Sequence, residues 1–157
     1  MNIRLLFIGK TDERWLSEAI EKYAGRLRNY LPFSIDIIPD LKNTKAMTTV
    51  RQKEEEGRLI LKNTGKSEQV ILLDEHGREF SSKEFSGFLQ KKMNSGIKTL
   101  TFVVGGPYGF SDEIYAQFSQ KVSLSKMTFS HQMIRLLITE QIYRAMTILR
   151  NEPYHHE

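Results

Sequence analysis

Five short apolar runs, each too short for anything but a strand, alternate along this chain with longer stretches whose apolar residues recur at helical spacing. That alternation leaves few architectures open. The runs are Ile3 to Ile8, Ile35 to Ile37, Val70 to Leu73, Leu100 to Val104 and Val122 to Ser125. Val70 to Leu73 is apolar without a break and Ile3 to Ile8 and Leu100 to Val104 nearly so, as strands covered on both faces are, whereas Ile35 and Ile37 alternate with polar residues. Between them Leu16, Ile20, Tyr23, Leu27 and Tyr30 mark one helix, with Thr11 or Asp12 as its cap. Phe85, Phe88, Leu89 and Met93 mark another, opened by the capping box of Ser81 with Glu84. The segment from 41 to 66 reads as a weaker helix with a poorly ordered start, its apolar face formed by Met47, Val50, Leu59 and Leu61. These features predict an α/β fold, a three-layer domain with a mostly parallel sheet of about five strands. At 157 residues the chain makes one such domain, residues 1–157.

A last helix, from about Ser130 to Arg150, carries Ile134, Ile138, Ile142, Ala145 and Leu149 on one side and Met133, Leu136 and Leu137 on others. A helix apolar nearly all round needs more than one neighbour, and in so short a chain the second can be another subunit.

In sheets of this kind ligands collect beyond the carboxyl ends of the strands. Three loops qualify: Leu73 to Gly77, read as a turn with His76 exposed, then Gly105 to Gly109, and Leu124 to Phe129. Glycines at 105, 106 and 109 let a backbone approach a ligand. Their spacing is not the dinucleotide fingerprint, and no Walker lysine follows. His131 falls at a helix start, where the dipole favours a neutral ring. Glu140 and Arg144, four apart, make an ion pair of roughly 0.3 to 0.5 kcal/mol if exposed. The tail from Asn151 to Glu157 sets Tyr154, His155 and His156 where they suit stacking on an unpaired base.

Cysteine is absent, which removes disulfides, thiolate ligands and a cysteine nucleophile. No metal site is expected. The formal net charge of +4 suits a polyanionic partner. The run from Arg51 to Arg58 nevertheless interleaves both signs and reads as a solvated helix face. The opening apolar stretch is too short for a signal region, and no run approaches the roughly 18 residues of a membrane span, so a cytoplasmic protein is expected.

Taken together, Val70 to Gly77, Phe102 to Gly109, and Leu124 to Phe129 continuing through His131, Tyr143-Arg144-Ala145 and Pro153-Tyr154-His155 resemble one family. It is the ribosomal large-subunit pseudouridine N3-methyltransferase family of the SPOUT superfamily. The opening Ile8-Gly9-Lys10 and the segment from Tyr23 to Leu27 also match. The resemblance implies a C-terminal trefoil knot within about residues 70–157, an obligate homodimer, and S-adenosylmethionine bound bent in the knot. By matching position its contacts are Leu73, Gly105, Leu124, Ser125, Lys126, Met127, Thr128 and Phe129. The implied substrate is a pseudouridine of 23S rRNA, recognised in the assembled 70S ribosome. The tail departs from the family at His156, where a lysine or arginine is usual.

The acceptor nitrogen of pseudouridine must lose a proton, so a base near neutral pKa is expected. His131 and His155 are the candidates, with Tyr154 orienting the base, Arg144 holding a phosphate and Glu140 orienting Arg144. Two rivals fit the same architecture. One is a dinucleotide-binding oxidoreductase, which lacks its glycine fingerprint here. The other is a ribosome-binding factor without catalysis.

Overall fold

The apolar runs form the strands of a five-stranded sheet in the computed structural model, which describes residues 1–156. The strands are β1 (Asn2–Ile8), β2 (Phe33–Ile38), β3 (Gln69–Glu79), β4 (Thr99–Val104) and β5 (Lys121–Ser123). The helices are α1 (Arg14–Leu27), α2 (Thr49–Asn63), α3 (Ser82–Asn94), α4 (Asp112–Gln117) and α5 (Met133–Leu149). Every neighbouring pair is parallel, in the order β2-β1-β4-β3-β5.

Alternation along β1 builds the three layers. Ile3, Leu5 and Phe7 face a core completed by Ala24 and Leu27 of α1, Phe85 and Leu89 of α3, and Ile138 and Ile142 of α5. Leu6 and Ile8 face the opposite core, with Ile60 of α2 and Ile114 of α4. Each side chain so buried contributes about 1.5 to 3 kcal/mol. Helix α5 packs against both α1 and α3. Its flanks remain only partly covered at Ile134, Leu136 and Leu137.

Local signals set the helix starts. The Ser81 and Glu84 capping box is present, with Glu84 N donating to Ser81 Oγ at 3.1 Å and Ser81 N to Glu84 Oε2 at 2.7 Å. Thr48 caps α2 and Ser111 caps α4. The expected cap of α1 is not formed: Glu13 occupies that position without a side-chain bond, while Asp12 N donates to Gln132 Oε1 at 3.0 Å. Before α2 the chain makes a short 3-10 turn, Thr44–Ala46, where a helix start was expected.

Two other expectations fail for physical reasons. The stretch from Asp74 to Gly77 is not a turn; β3 runs on to Glu79 with a register shift between Leu73 and Arg78. Gly77 is glycine because a Cβ there would lie 2.6 Å from the backbone of Lys121 and Val122, so it marks a close strand crossing. The charged run of α2 is not wholly solvated either. Glu56 is buried at 4% exposure beside Gly57 and Ile60, whereas Val50 is exposed.

Arg135 is fully buried in α5. Its Nη2 donates to Ile8 O at 2.7 Å and its Nη1 to Gly9 O at 2.9 Å and Thr11 Oγ1 at 3.2 Å. The guanidinium also lies 4.8 Å from the centroid of the Phe7 ring. This one side chain ties the start of α5 to the carboxyl end of β1.

Candidate active site

Beyond the carboxyl ends of β4 and β5 and along β3 lies a cleft of about 450 Å³. The three loops picked out from the sequence form its walls. Leu73, Asp74, Glu75 and His76 come from β3, Gly105 to Phe110 follow β4, and Leu124, Ser125, Met127, Thr128 and Phe129 follow β5. His131 and Ile134 close one end. Seven of the eight expected cofactor positions therefore share one cleft. Lys126 is exposed and does not line it.

Hydrogen bonds fix the walls. Gly109 N donates to Gly106 O at 3.2 Å, closing the glycine turn. Met127 N donates to Ser125 Oγ at 2.9 Å, Ser123 Oγ to Ser125 O at 2.8 Å, and Thr128 Oγ1 to Glu75 Oε2 at 3.1 Å. The Tyr115 hydroxyl donates to Asp74 Oδ2, joining α4 to β3. Burial and that bond raise the Tyr115 pKa, so the phenol stays a donor. Neither Asp74 nor Tyr115 was singled out in the sequence, because the carboxylate lay in what read as a turn.

The rim is apolar. Met127 is 75% exposed, Tyr108 53% and Phe129 40%. Gly105 packs under Phe110, whose ring an added Cβ would approach to 3.2 Å. At Gly106 an added Cβ would sit 2.6 Å from both carboxylate oxygens of Glu56, so a larger residue there would require that side chain to move.

His131 precedes α5 by two residues instead of opening it. Its pKa is lowered, first by burial and then by the Arg135 guanidinium, while Asp12 and Asp40 oppose the shift. The neutral ring expected from the helix dipole thus has a different cause.

The remaining expected catalytic residues form a second cluster at the far end of α5. Glu140 Oε1 accepts from Arg144 Nη2 at 2.6 Å, Arg144 Nε at 3.1 Å and the Tyr154 hydroxyl at 2.9 Å. The pair is partly buried, with side chains 25% and 16% exposed, so it exceeds the exposed-pair reading made from spacing. Arg144 also stacks 4.7 Å from the Tyr154 ring centroid, and Tyr143 meets that ring edge-on at 4.7 Å. Burial and hydrogen bonds with Tyr23 and Glu140 raise the Tyr154 pKa. Arg144 Nη1 lies 3.2 Å from His155 Nδ1. A guanidinium has only donors, so Nδ1 accepts and the His155 proton sits on Nε2. Helix α1 adds Tyr23, 5.8 Å from Tyr143, and Arg26, 5.5 Å from both rings.

None of Glu140, Arg144, Tyr154 or His155 lines the cleft. From Ile134, which does, to Glu140 is six residues, about 9 Å along the helix axis. Within one chain the cleft and this cluster are therefore separate. His156 is exposed, and Glu157 lies outside the described residues. Among the described residues no group of three or more histidines and carboxylates is placed to hold a metal, and no helix is long and apolar enough to cross a membrane.

Comparison with known proteins accords with this geometry. The family described as predicted SPOUT methyltransferase matches residues 1–155. A ribosomal RNA large subunit methyltransferase H from Parabacteroides distasonis is 59% identical over 157 residues, covering 100% of both chains. One of the same name from Christiangramia forsetii is 57% identical over 156 residues, covering 99% of each. Among solved structures, a "probable methylase family protein" from Haemophilus influenzae Rd KW20 aligns with a TM-score of 0.53 at 15% identity. That alignment covers 96% of this chain and 66% of that one, and it speaks for the fold alone.

Proposed function

Since the chain belongs to the SPOUT methyltransferase family, and within it to the ribosomal RNA large subunit methyltransferase H proteins, we propose that it methylates N3 of a pseudouridine in 23S rRNA. The donor is S-adenosylmethionine, the substrate is the assembled 70S ribosome, and the enzyme works as a homodimer in the cytoplasm. The observation that carries this reading is the convergence of three separate loops on one cleft in a chain of this family.

The cleft fits the donor. Its floor of Leu73, Val104, Val122 and Leu124 is apolar enough for an adenine face, and the loop from Leu124 to Phe129 supplies backbone polar groups for its edge. When bound, the donor supplies the methyl group as an electrophilic carbon on a sulfonium. The trefoil knot implied by the family resemblance belongs to the same proposal, as the device that holds these loops together.

Deprotonation falls to His131. It is neutral, lines the cleft and is anchored beside Arg135. His155 is assigned no role as the base, because Arg144 Nη1 engages its Nδ1 at 3.2 Å. Tyr154 stays protonated and orients the base. Glu140, with three donors on one oxygen, holds Arg144 rigid for a phosphate.

The separation of cleft and cluster on one chain favours a shared site, with the Glu140 to His155 cluster of one protomer completing the cleft of its partner. The half-covered flank of α5 and the apolar rim of Met127 and Phe129 offer surface for such a dimer. Single-turnover methylation of ribosomes with saturating donor tests these roles. Tyr154→Phe and His155→Ala should each slow transfer with donor affinity retained. Normal rates in both would reject the cluster as part of the active site.

A further inference from the structure

Behind the glycine turn lies a second cavity, of about 290 Å³, lined by Lys10, Asp12, Asp40, Gln52, Glu56 and His131 among others. It shares Pro107 and His131 with the main cleft, so the two adjoin at these residues. Glu56 forms part of its lining. That side chain is 4% exposed; Oε1 has no hydrogen-bond partner, and Oε2 has only Gln52 Nε2 at 3.4 Å.

A buried carboxylate in this condition is costly, because nothing replaces the water it has lost. Burial, with Asp40 nearby, accordingly pushes the Glu56 pKa up. Arg135, the buried cation of α5, directs its bonds to Ile8, Gly9 and Thr11 instead. The Glu56 carboxylate rests against the turn at Gly106, where an added Cβ would lie 2.6 Å from both of its oxygens.

We propose that this cavity binds the amino-acid end of the methyl donor, with Glu56 and Asp40 accepting its ammonium and Lys10 facing its carboxylate. A cavity lined by both carboxylates and a lysine matches a zwitterion better than a simple cation or anion. The inference rests on the reading of the main cleft as the S-adenosylmethionine site, and it adds a subsite beyond the three loops.

Calorimetry with two ligands separates the possibilities. S-adenosylmethionine and 5′-methylthioadenosine share the nucleoside and the sulfur, but only the first has an amino-acid end. Glu56→Gln, which keeps the shape and removes the charge, should weaken S-adenosylmethionine by roughly 10- to 100-fold, the loss of one charge-assisted hydrogen bond. Binding of 5′-methylthioadenosine should stay within about twofold. Lys10→Met should likewise weaken S-adenosylmethionine but spare its decarboxylated analogue. Equal losses for both ligands in Glu56→Gln would overturn the proposal and assign Glu56 to support of the Gly106 turn. Unchanged affinity for both would overturn it as well. If the unaltered protein bound neither ligand, the donor reading of the cleft would fall, and the subsite with it.

Discussion

Replacing Arg135 by methionine removes the one charged group that links β1 to the start of α5 while keeping most of the aliphatic volume. Two strand-end carbonyls, Ile8 O and Gly9 O, lose donors at 2.7 and 2.9 Å, and Thr11 Oγ1 loses one at 3.2 Å. A buried polar group left without a partner costs about 1 to 3 kcal/mol, and relief of burying the guanidinium offsets part of that. The net expectation for Arg135→Met is about 2 to 4 kcal/mol. For a chain of this size each kcal/mol lowers Tm by about 2 to 4 °C, so a fall of roughly 5 to 15 °C is expected. Thermal unfolding at fixed protein concentration measures it, since the proposed dimer would make Tm depend on concentration. Arg135→Lys should fall between, because an ammonium lacks the planar fork that serves both carbonyls at once. His131 sits one turn before Arg135, so donor affinity should drop in the same variant. A Tm within about 2 °C of the unaltered protein would refute the clamp.

Three further outcomes are expected. Glu140→Ala frees Arg144 and Tyr154 together, so single-turnover methylation should fall roughly 10- to 100-fold, by loss of charge-assisted bonds, with donor affinity unchanged. If His131 is the base, as proposed, its pKa lowered from 6.5 means the single-turnover rate should hold as pH falls past 6.5 and drop only in more acid solution; a half-rate point above 6.5 would contradict that. Tyr30 donates to Glu152 Oε2 at 2.6 Å, and this bond, with burial, pushes its pKa up to about 12. The neutral phenol is therefore favoured by folding, and the stability advantage over Tyr30→Phe, about 0.5 to 1.5 kcal/mol, should be full below pH 10 and shrink as pH rises through about 12.

What could be read in the sequence was periodic or local. Ile3, Leu5 and Phe7 against Leu6 and Ile8 announced a strand between two layers, and Ser81 with Glu84 announced a helix start, because each signal lies within a few residues. The cleft loops were legible for the same reason: strand ends are local, and in a parallel sheet they gather on one side. What escaped depended on distant partners. Gly77 looked like a turn until Val122 was seen beside it. Glu56 sat in a run that read as a solvated face and Arg135 belonged to no pattern, and only packing against Gly106 and β1 shows them buried. The gap between the cleft and the Glu140 to His155 cluster was also invisible, since spacing along the last helix and its tail does not say which way Glu140 and Arg144 face or where the tail folds back.

The central claim is methyl transfer to one ribosomal nucleoside. The most direct test is mass spectrometry of 23S rRNA after 70S ribosomes from cells lacking this gene are incubated with the purified protein and S-adenosylmethionine. The account predicts one added methyl group, on N3 of a single pseudouridine, and none when Tyr154→Phe and His155→Ala are combined. Ribosomes that bind the protein but gain no methyl group, or gain it on another nucleoside, would contradict it.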